Sequence, residues 1–255
     1  MALLEARGLT KTFGSVTAAA DINVAVAERE VIGIIGANGA GKTTFVNMVT
    51  GYLKPSQGSI WFNGQEITPL SPREITRMGI CRSFQVPQVF MSLPLMDNLL
   101  ISLSIAAQEN PSFWRPLRQP HLVEAAEQTI VRYNLQQYRD QRVALLPQGI
   151  RKLLDIAMAM ANKPRIILLD EPTSGVSVSE KFGIMDVVMG ALRETGVTVM
   201  FIEHDMEIIG RYGSRVIAFA EGTVIADGQP KQVLDDAQVR RLVIGEDLHR
   251  GGAHA

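Results

Sequence analysis

The sequence predicts an α/β fold with a largely parallel sheet, because short apolar stretches alternate along the chain with stretches of helical pattern. Several of these apolar stretches contain no alternating polar residues, which is typical of strands buried on both faces of a parallel sheet. The predicted strands are residues 31–36, 78–85, 165–170, 197–205 and 215–228, and the predicted helices are residues 42–52, 123–135, 150–162 and 179–195.

Three segments differ from this pattern. Residues 3–30 alternate between apolar and polar more strictly, which predicts antiparallel strands, and residues 55–70 are rich in turn residues, which predicts a hairpin. Residues 88–162 are rich in methionine, leucine and other helix formers, so we expect a helical subdomain inserted into the α/β core. The expected organisation is one domain over residues 1–247, followed by a flexible tail over residues 248–255.

The composition is that of a globular protein: of 255 residues, 46% are hydrophobic and 20% are charged. The formal net charge of −1 argues against a general electrostatic affinity for nucleic acid or anionic lipid. A single cysteine, Cys81, excludes an intrachain disulfide, and we expect it to be buried in the core of a cytoplasmic protein.

The start of the chain is not typical of a signal peptide, because Glu5 and Arg7 interrupt its apolar residues. No stretch reaches the roughly 18 consecutive apolar residues that are needed to span a bilayer. We therefore expect that any role at a membrane depends on a partner protein.

The strongest motif is "GANGAGKTT", which runs from Gly36 to Thr44 and follows the pattern G-x-x-x-x-G-K-[ST]. It lies between a predicted strand and a predicted helix, which is the context the motif requires. Backbone N–H groups at the start of such a helix can hold phosphate oxygens. Lys42 can reach the terminal phosphates, and the Thr43 hydroxyl can bind Mg²⁺.

Further polar residues follow predicted strands. Asp170 and Glu171 end the stretch "IILLDEP", where an aspartate can hold Mg²⁺ and a glutamate can polarise an attacking water. His204 follows the strand in "FIEHDM", and Gln85 follows the strand in "CRSFQ". The carboxyl ends of parallel strands are where α/β proteins bind ligands. Alone, Asp170, Glu171 and Gln85 are more typical of solvated strand ends, and a lone histidine is more often structural. Together with the phosphate-binding motif, they predict a nucleotide site.

In this order and spacing, the motif at 36–44, Gln85, a turn at 146–150, "LLDEP" and "EHD" resemble the ATP-binding subunit of an ABC transporter. The resemblance covers about residues 3–247. It is most similar to the ATPase subunits of branched-chain amino acid-type uptake systems, through "SFQ", "IEHDMEII", "GTVIADGQPKQVLDDAQV" and "LVIGED". The resemblance implies a P-loop NTPase fold with a RecA-like parallel core, an N-terminal antiparallel β subdomain and an inserted helical subdomain.

The resemblance also implies roles for single residues. Phe13 would stack on adenine, although a core phenylalanine is the alternative. Gln85 would sense Mg²⁺ and the γ-phosphate, Asp170 would bind Mg²⁺, Glu171 would be the catalytic base and His204 would contact the γ-phosphate. ATP would be held by the loop residues Gly36, Asn38, Gly39, Ala40, Gly41, Lys42, Thr43 and Thr44, and Mg²⁺ by Thr43, Gln85 and Asp170.

The partners follow from the same resemblance. Two ATPase domains would meet head to tail, and each ATP would lie between the phosphate loop of one and the signature turn of the other. The second domain would belong to a non-identical subunit or to a second copy. Two integral membrane permease subunits would dock beside residues 86–100, with a periplasmic or lipoprotein solute-binding protein acting on them. This arrangement places the chain on the inner face of the cell membrane, with no nucleic acid partner.

The signature turn departs from the family pattern L-S-G-G-Q. Here it consists of Leu146, Pro147, Gln148, Gly149 and Ile150. The serine hydroxyl that would contact the partner-bound γ-phosphate is absent, and proline has no N–H to offer in its place. A hydrogen bond to a charged group contributes roughly 1.5–3 kcal/mol. After "DEPTSG" the family has leucine and aspartate, where this chain has Val176 and Ser177.

Both departures lie on the surface that would face the partner's nucleotide, whereas the residues for this chain's own ATP are intact. One hypothesis is therefore a heterodimer with one competent and one weakened site. The alternative is that this subfamily tolerates proline and that both sites work. Outside the importer hypothesis, a soluble ABC ATPase, an exporter subunit and a nucleotide-binding regulatory subunit remain open. The transported solute could be a branched-chain amino acid, an amide, urea or an aromatic acid.

Overall fold

The computed structural model describes residues 2–107 and 117–245, so the predicted tail at 248–255 lies outside the described residues. The strands are β1 Leu4–Phe13, β2 Val16–Val26, β3 Val31–Gly36, β4 Gln57–Phe62, β5 Gln65–Glu66, β6 Ile80–Ser83, β7 Ile166–Asp170, β8 Thr198–Ile202, β9 Arg215–Ala220 and β10 Thr223–Gly228. The helices are α1 Lys42–Val49, α2 Pro72–Met78, α3 Leu95–Ala106, α4 Pro120–Arg132, α5 Gln148–Met160, α6 Lys181–Thr195, α7 Met206–Tyr212, α8 Pro230–Asp235 and α9 Ala237–Val239. The predicted α/β class is confirmed.

The chain forms two compact units. The first comprises residues 1–75 and 200–255, and the second comprises residues 76–199. The predicted helical subdomain, residues 88–162, falls inside the second unit, where α3, α4 and α5 lie. Its exact limits stay a prediction.

The antiparallel sheet of the first unit has the strand order β2-β1-β4-β5, which confirms the antiparallel strands predicted for residues 3–30 and the hairpin predicted for residues 55–70. Asn63 and Gly64 join β4 to β5, and both have positive φ angles, of 50° and 77°. A two-residue turn with this conformation matches the twist of an antiparallel pair, and Asn-Gly is its preferred sequence.

The prediction of one strand over residues 215–228 was wrong. This stretch is two antiparallel strands, β9 and β10, in which Ala220 pairs with Thr223. The intervening Glu221 and Gly222 have φ angles of 50° and 80°, so they form the same kind of tight turn as Asn63-Gly64. Gly222 was the sequence signal for the turn, but the apolar residues on both sides of it are equally typical of one continuous strand.

The parallel core of the first unit pairs β3 with β9, from Ile32 opposite Arg215 to Gly36 opposite Phe219. All residues of β3 after Val31 are buried. Phe45, on α1, packs against Phe219 with a ring centroid distance of 5.5 Å. This contact anchors α1 to the sheet, so the loop between β3 and α1 is held at both ends.

The second unit pairs β6 with β7 in parallel, from Ile80 opposite Ile166 to Ser83 opposite Leu169. Each of the four residues of β7 before Asp170 is an aliphatic residue at most 2% exposed, as expected for a strand covered on both faces. Asn98, on α3, is fully buried, and its amide donates to the carbonyl oxygens of Phe90 and Pro94 while its Oδ1 accepts from the Phe90 N–H. These bonds fix the chain between Phe90 and α3.

Over residues 2–107 and 117–245, no helix is both long enough and apolar enough to cross a membrane.

The single thiol, on Cys81 in β6, gives a clean test of the packing of the second unit. Cys81 is 4% exposed, and burial raises the pKa of its thiol to about 11. Because the thiolate is the reactive form, we expect modification by a disulfide reagent at pH 8 to be at least about 100-fold slower than for an exposed thiol. The measurement is the rate of absorbance change with Ellman-type reagent, with and without denaturant.

The matched control moves the thiol to the surface in the variant Cys81→Ala/Val131→Cys, since Val131 on α4 is 58% exposed. This variant should react rapidly at pH 8 without denaturant. If native Cys81 reacts as fast as the control, then β6 is not packed as described.

Candidate active site

The phosphate-binding loop lies between β3 and α1, as predicted. Gly41 is the residue before α1 and has a φ of 99°, a conformation that favours glycine. A Cβ at this position would lie 2.9 Å from the Ala18 carbonyl oxygen, so a larger residue would displace the backbone. Gly222 accepts from the Ala20 N–H and donates to the Ala40 carbonyl, which ties the β9–β10 turn to the loop. These contacts restrain the backbone of the loop on the side of the β9–β10 turn.

Lys42 is the charged group of this loop. Its side chain is buried, and its Nζ donates to the carbonyl oxygens of Gly36 at 2.5 Å and of Ala37 at 3.0 Å. The next residue, Thr43, is exposed. The first N–H groups of a helix have no partner within that helix, so the start of α1 presents amide donors beside the Lys42 ammonium. These are the donors that a row of phosphates requires.

Phe13 and His204 also belong to the first unit. Phe13 ends β1 and is 52% exposed, so it is not the core phenylalanine that was the alternative to adenine stacking. His204 is exposed and lies just after β8, where Asp205 caps α7 by accepting from the N–H groups of Glu207 and Ile208. The roles of Phe13 and His204 toward a nucleotide stay predictions.

The second unit brings Gln85 and Glu171 together. Gln85 lies after β6, and its Nε2 donates to Glu171 Oε2 at 2.7 Å. Glu171 is the first residue after β7 and has a φ of 49°, in the left-handed region that costs a residue other than glycine about 1–3 kcal/mol. Such strain persists only where the surroundings impose it, and it is often found at functional sites. The predicted catalytic glutamate therefore has both a partner and an imposed backbone conformation.

Asp170 forms a buried ion pair with Arg82. The Arg82 guanidinium donates to Asp170 Oδ2, and the two side chains are 8% and 11% exposed. Arg82 also lies 4.9 Å from the ring centroid of Phe84. The pair offsets the charge of an aspartate that ends a buried strand, and a buried carboxylate without such an offset would be costly.

The signature turn begins α5. Pro147 is the residue before the helix and Leu146 is buried, whereas Pro147 and Gln148 are exposed. Proline suits this place because it lacks the N–H that a helix start leaves unpaired. Gln148, Gly149 and Ile150 form the first turn of α5, so their amides have the orientation of a helix start even though the family's serine is missing.

The two departures from the family pattern lie on neighbouring segments. The Gln148 side chain lies against Gly175, where a Cβ would be only 2.2 Å from its Nε2, and this Nε2 donates to the Ser174 carbonyl oxygen at 3.3 Å. A Cβ on Gly149 would lie 3.6 Å from Val176. The start of α5 therefore lies against the loop after Glu171, with Gln148 beside Ser174 and Gly175 and with Gly149 near Val176.

Two charged side chains that the sequence did not single out are buried in the second unit, those of Arg82 and Lys152. Lys152 donates to the carbonyl oxygens of Gln85 and Glu171 and to the Ser174 hydroxyl. Asp155, on the same helix, accepts from the Ser83 hydroxyl and from the Gln88 N–H. Burial raises the pKa of the Asp155 carboxyl, and these hydrogen bonds and the Lys152 charge oppose that rise. The signal for Lys152 was the pair of opposite charges in the otherwise apolar "KLLDIA".

The donors suit a magnesium nucleotide. Within residues 2–107 and 117–245, no group of three or more histidine, cysteine, aspartate or glutamate side chains is placed to hold a metal ion. A nucleotide-bound Mg²⁺ does not require such a group, since it takes one or two protein oxygens and completes its shell from phosphates and water. In the first unit, the exposed Thr43 hydroxyl is an oxygen donor of this kind, and in the second unit the Asp170 carboxylate is another; that they share one Mg²⁺ stays a prediction.

A phosphate-binding loop between a buried strand and a helix, in an α/β fold, defines a P-loop nucleotide-binding domain. Comparison with known proteins makes the class narrower. The family model described as ABC transporter matches residues 19–174. The chain is 33% identical over 252 residues to the high-affinity branched-chain amino acid transport ATP-binding protein BraF of Pseudomonas aeruginosa, covering 96% of this chain and 98% of the relative. It is 31% identical over 252 residues to LivG of Escherichia coli, with the same coverage.

The fold is similar to a solved structure described as the ADP conformation of MJ1267, an ATP-binding cassette of an ABC transporter. The TM-score is 0.84 and the identity is 32%, covering 96% of this chain and 100% of that chain. The chain therefore belongs to the ABC transporter family and is an ATPase of that family. Both the family resemblance and the P-loop NTPase fold predicted from the sequence are confirmed.

The Arg82–Asp170 pair can be tested by its effect on stability. Arg82→Met leaves the Asp170 carboxylate buried without its cation, and breaking a buried ion pair from one side costs about 3–5 kcal/mol. We expect the free energy of unfolding at neutral pH to fall by about this amount in urea denaturation. The double variant Arg82→Met/Asp170→Asn should recover much of the loss, because it removes both charges.

The matched control is Arg118→Met, which breaks the exposed pair between Arg118 and Asp97. This loss should be no more than about 1 kcal/mol. Equal losses in Arg82→Met and in the control would contradict a buried pair at Asp170.

Proposed function

We propose that this chain is the ATP-hydrolysing, energy-coupling subunit of an importer for branched-chain amino acids or related small solutes. The observation that carries the proposal is the similarity, over nearly the full length of both chains, to proteins named as branched-chain amino acid transport ATP-binding proteins. The intact phosphate loop and the Gln85–Glu171 pair support turnover rather than binding alone. The chain would work at the inner face of the cell membrane.

In this function, Lys42 and the amides at the start of α1 bind the phosphates. Phe13 stacks on the adenine, as its exposure permits. Thr43, Asp170 and Gln85 supply oxygens toward Mg²⁺, which neutralises charge that develops on the phosphates. Glu171 accepts a proton from the attacking water, and Gln85 holds the Glu171 carboxylate through its amide. His204 donates toward the γ-phosphate.

The permease subunits would dock on the segment after Gln85. Three large apolar side chains are exposed there: Val86 at 71%, Phe90 at 49% and Met91 at 41%. A cluster of exposed apolar residues is typical of a surface that binds another protein. Since this segment begins beside Gln85, a permease that moves it would also move a residue hydrogen-bonded to Glu171. This gives a physical route from transport to hydrolysis.

The ATPase partner would be a non-identical subunit, and the site completed by 146–150 of this chain would be the weaker one. In support, Pro147 has no N–H and no hydroxyl. The side-chain amide of Gln148 donates a hydrogen bond to the Ser174 carbonyl oxygen of its own chain. The amides at the start of α5 still favour phosphate binding at that site. A homodimer in which both sites turn over is the competing arrangement.

Catalysis is tested with Glu171→Gln in the reconstituted complex. Because the amide cannot accept the proton, we expect kcat for ATP to fall by about 10²–10⁴-fold, while ATP binding is retained. Lys42→Ala should lose ATP binding as well. The measurements are phosphate release and the binding of a fluorescent ATP analogue.

Glu66→Gln is the matched control, since Glu66 is an exposed residue on β5, and it should keep full activity. A purified complex that binds ATP, and in which Glu171→Gln turns over like Glu66→Gln, would instead favour a nucleotide-binding regulatory subunit. Co-purification with soluble factors and no permease would favour a soluble ABC ATPase.

Uptake assays with labelled branched-chain amino acids, amides, urea and aromatic acids in vesicles identify the solute and distinguish import from export.

The asymmetry is tested by placing the glutamate-to-glutamine change in one ATPase subunit at a time. The competent site would use Glu171 of this chain together with the partner's signature turn. We therefore expect Glu171→Gln here to remove most of the ATPase activity, and the equivalent change in the partner to remove much less. Equal losses, or a complex that contains only this ATPase chain, would contradict the heterodimer with one weakened site.

A further inference from the structure

Lys152 is a fully buried lysine on α5, two residues after the end of the signature turn. Burying a charge is costly unless the charge is paired and hydrogen-bonded. The Lys152 ammonium therefore needs hydrogen-bond acceptors, and the groups that accept from it are held in place by these bonds.

The ammonium donates to three acceptors, which lie on two segments outside α5. Nζ lies 2.6 Å from the Gln85 carbonyl oxygen, 2.9 Å from the Glu171 carbonyl oxygen and 3.2 Å from the Ser174 hydroxyl. The first acceptor follows β6, and the other two lie in the turn that follows β7. One side chain thus joins the helix of the signature turn to both partners of the Gln85–Glu171 hydrogen bond.

The contact with Glu171 acts on a strained residue. The Glu171 carbonyl oxygen accepts from Lys152 Nζ and from the Ser174 N–H at 3.0 Å, which holds the left-handed backbone. That backbone directs the carboxylate to Gln85. On the other side, the Gln85 carbonyl is held by the same ammonium, and Asp155 holds the flanking residues Ser83 and Gln88. Removing the ammonium leaves both partners of the hydrogen bond with fewer restraints.

We propose that Lys152 is a positioning residue that sets the Glu171 carboxylate against Gln85 and links this geometry to the position of the signature helix. The inference rests on the proposed function, because it takes Glu171 as the base. A shift of α5 on binding a partner's nucleotide moves the ammonium, and with it the two carbonyl groups that fix Gln85 and Glu171. The group acts through Glu171 and touches no reacting atom, so its loss changes kcat rather than ATP affinity.

The test uses Lys152→Met in the reconstituted complex. We expect kcat to fall by about 10–100-fold, as for a catalytic group displaced by roughly 1 Å, with KM for ATP within about threefold of the wild type. Lys152→Arg, which keeps the charge and the donors, should recover part of the rate. Lys163→Met removes an exposed lysine just after α5 and should keep the wild-type rate.

Because Lys152→Met also leaves the buried Asp155 without a nearby cation, a second variant separates positioning from stability. Lys152→Met/Asp155→Asn removes both charges and keeps an oxygen that can accept from the Gln88 N–H. We expect this variant to regain much of the thermal stability while its kcat stays low. A kcat that recovers together with the melting temperature would overturn the inference.

Amide hydrogen exchange gives a readout that does not depend on turnover. In Lys152→Met, exchange should rise about tenfold in residues 84–88 and 171–176 and stay unchanged in residues 36–44. A uniform rise along the chain, or none, would contradict a local positioning role. If Glu171→Gln keeps full activity, the proposed function fails; if Glu171→Gln is inactive and Lys152→Met turns over normally, only the inference fails.

Discussion

The parallel pairs β3–β9 and β6–β7 are buried almost along their whole length, and this burial limits where polar groups can stand. A strand covered on both faces has no place for an uncompensated polar side chain except at its end. The phosphate loop follows β3, Gln85 follows β6, and Asp170 with Glu171 stands at the end of β7. Arg82 is the exception inside a strand, and its guanidinium pairs with Asp170.

Helix α5 organises the polar groups of the second unit from one side. Gln148 and Gly149 contact the loop after Glu171, while Lys152 and Asp155 hold the segment around Gln85. The unusual signature turn therefore lies against the same loop that carries the unusual residue Val176. Gln148, in the first turn of α5, is exposed, whereas Lys152 and Asp155 on the same helix are buried. A partner that binds the start of α5 is therefore connected to Glu171 through the Lys152 side chain.

The sequence was a good guide where a local pattern has one structural meaning. The apolar stretches became strands, the motif at 36–44 became a loop between a strand and a helix, and Asn63-Gly64 became a tight turn. It failed at residues 215–228, where apolar residues on both sides of Glu221-Gly222 made two strands look like one. It also passed over Arg82 and Lys152, because a charged residue within an apolar stretch does not by itself show which distant groups it will bind.

What the sequence alone determined is the fold class, the phosphate loop and the set of strand-end residues, because hydrophobic periodicity and glycine positions act over short distances along the chain. Only the tertiary structure decided that Gln85 donates to Glu171, that Arg82 pairs with Asp170, and that Lys152 joins three segments. These contacts connect residues 19 to 88 positions apart. Packing of β6, β7 and α5 is what brings them within hydrogen-bonding distance, and no local pattern records that packing.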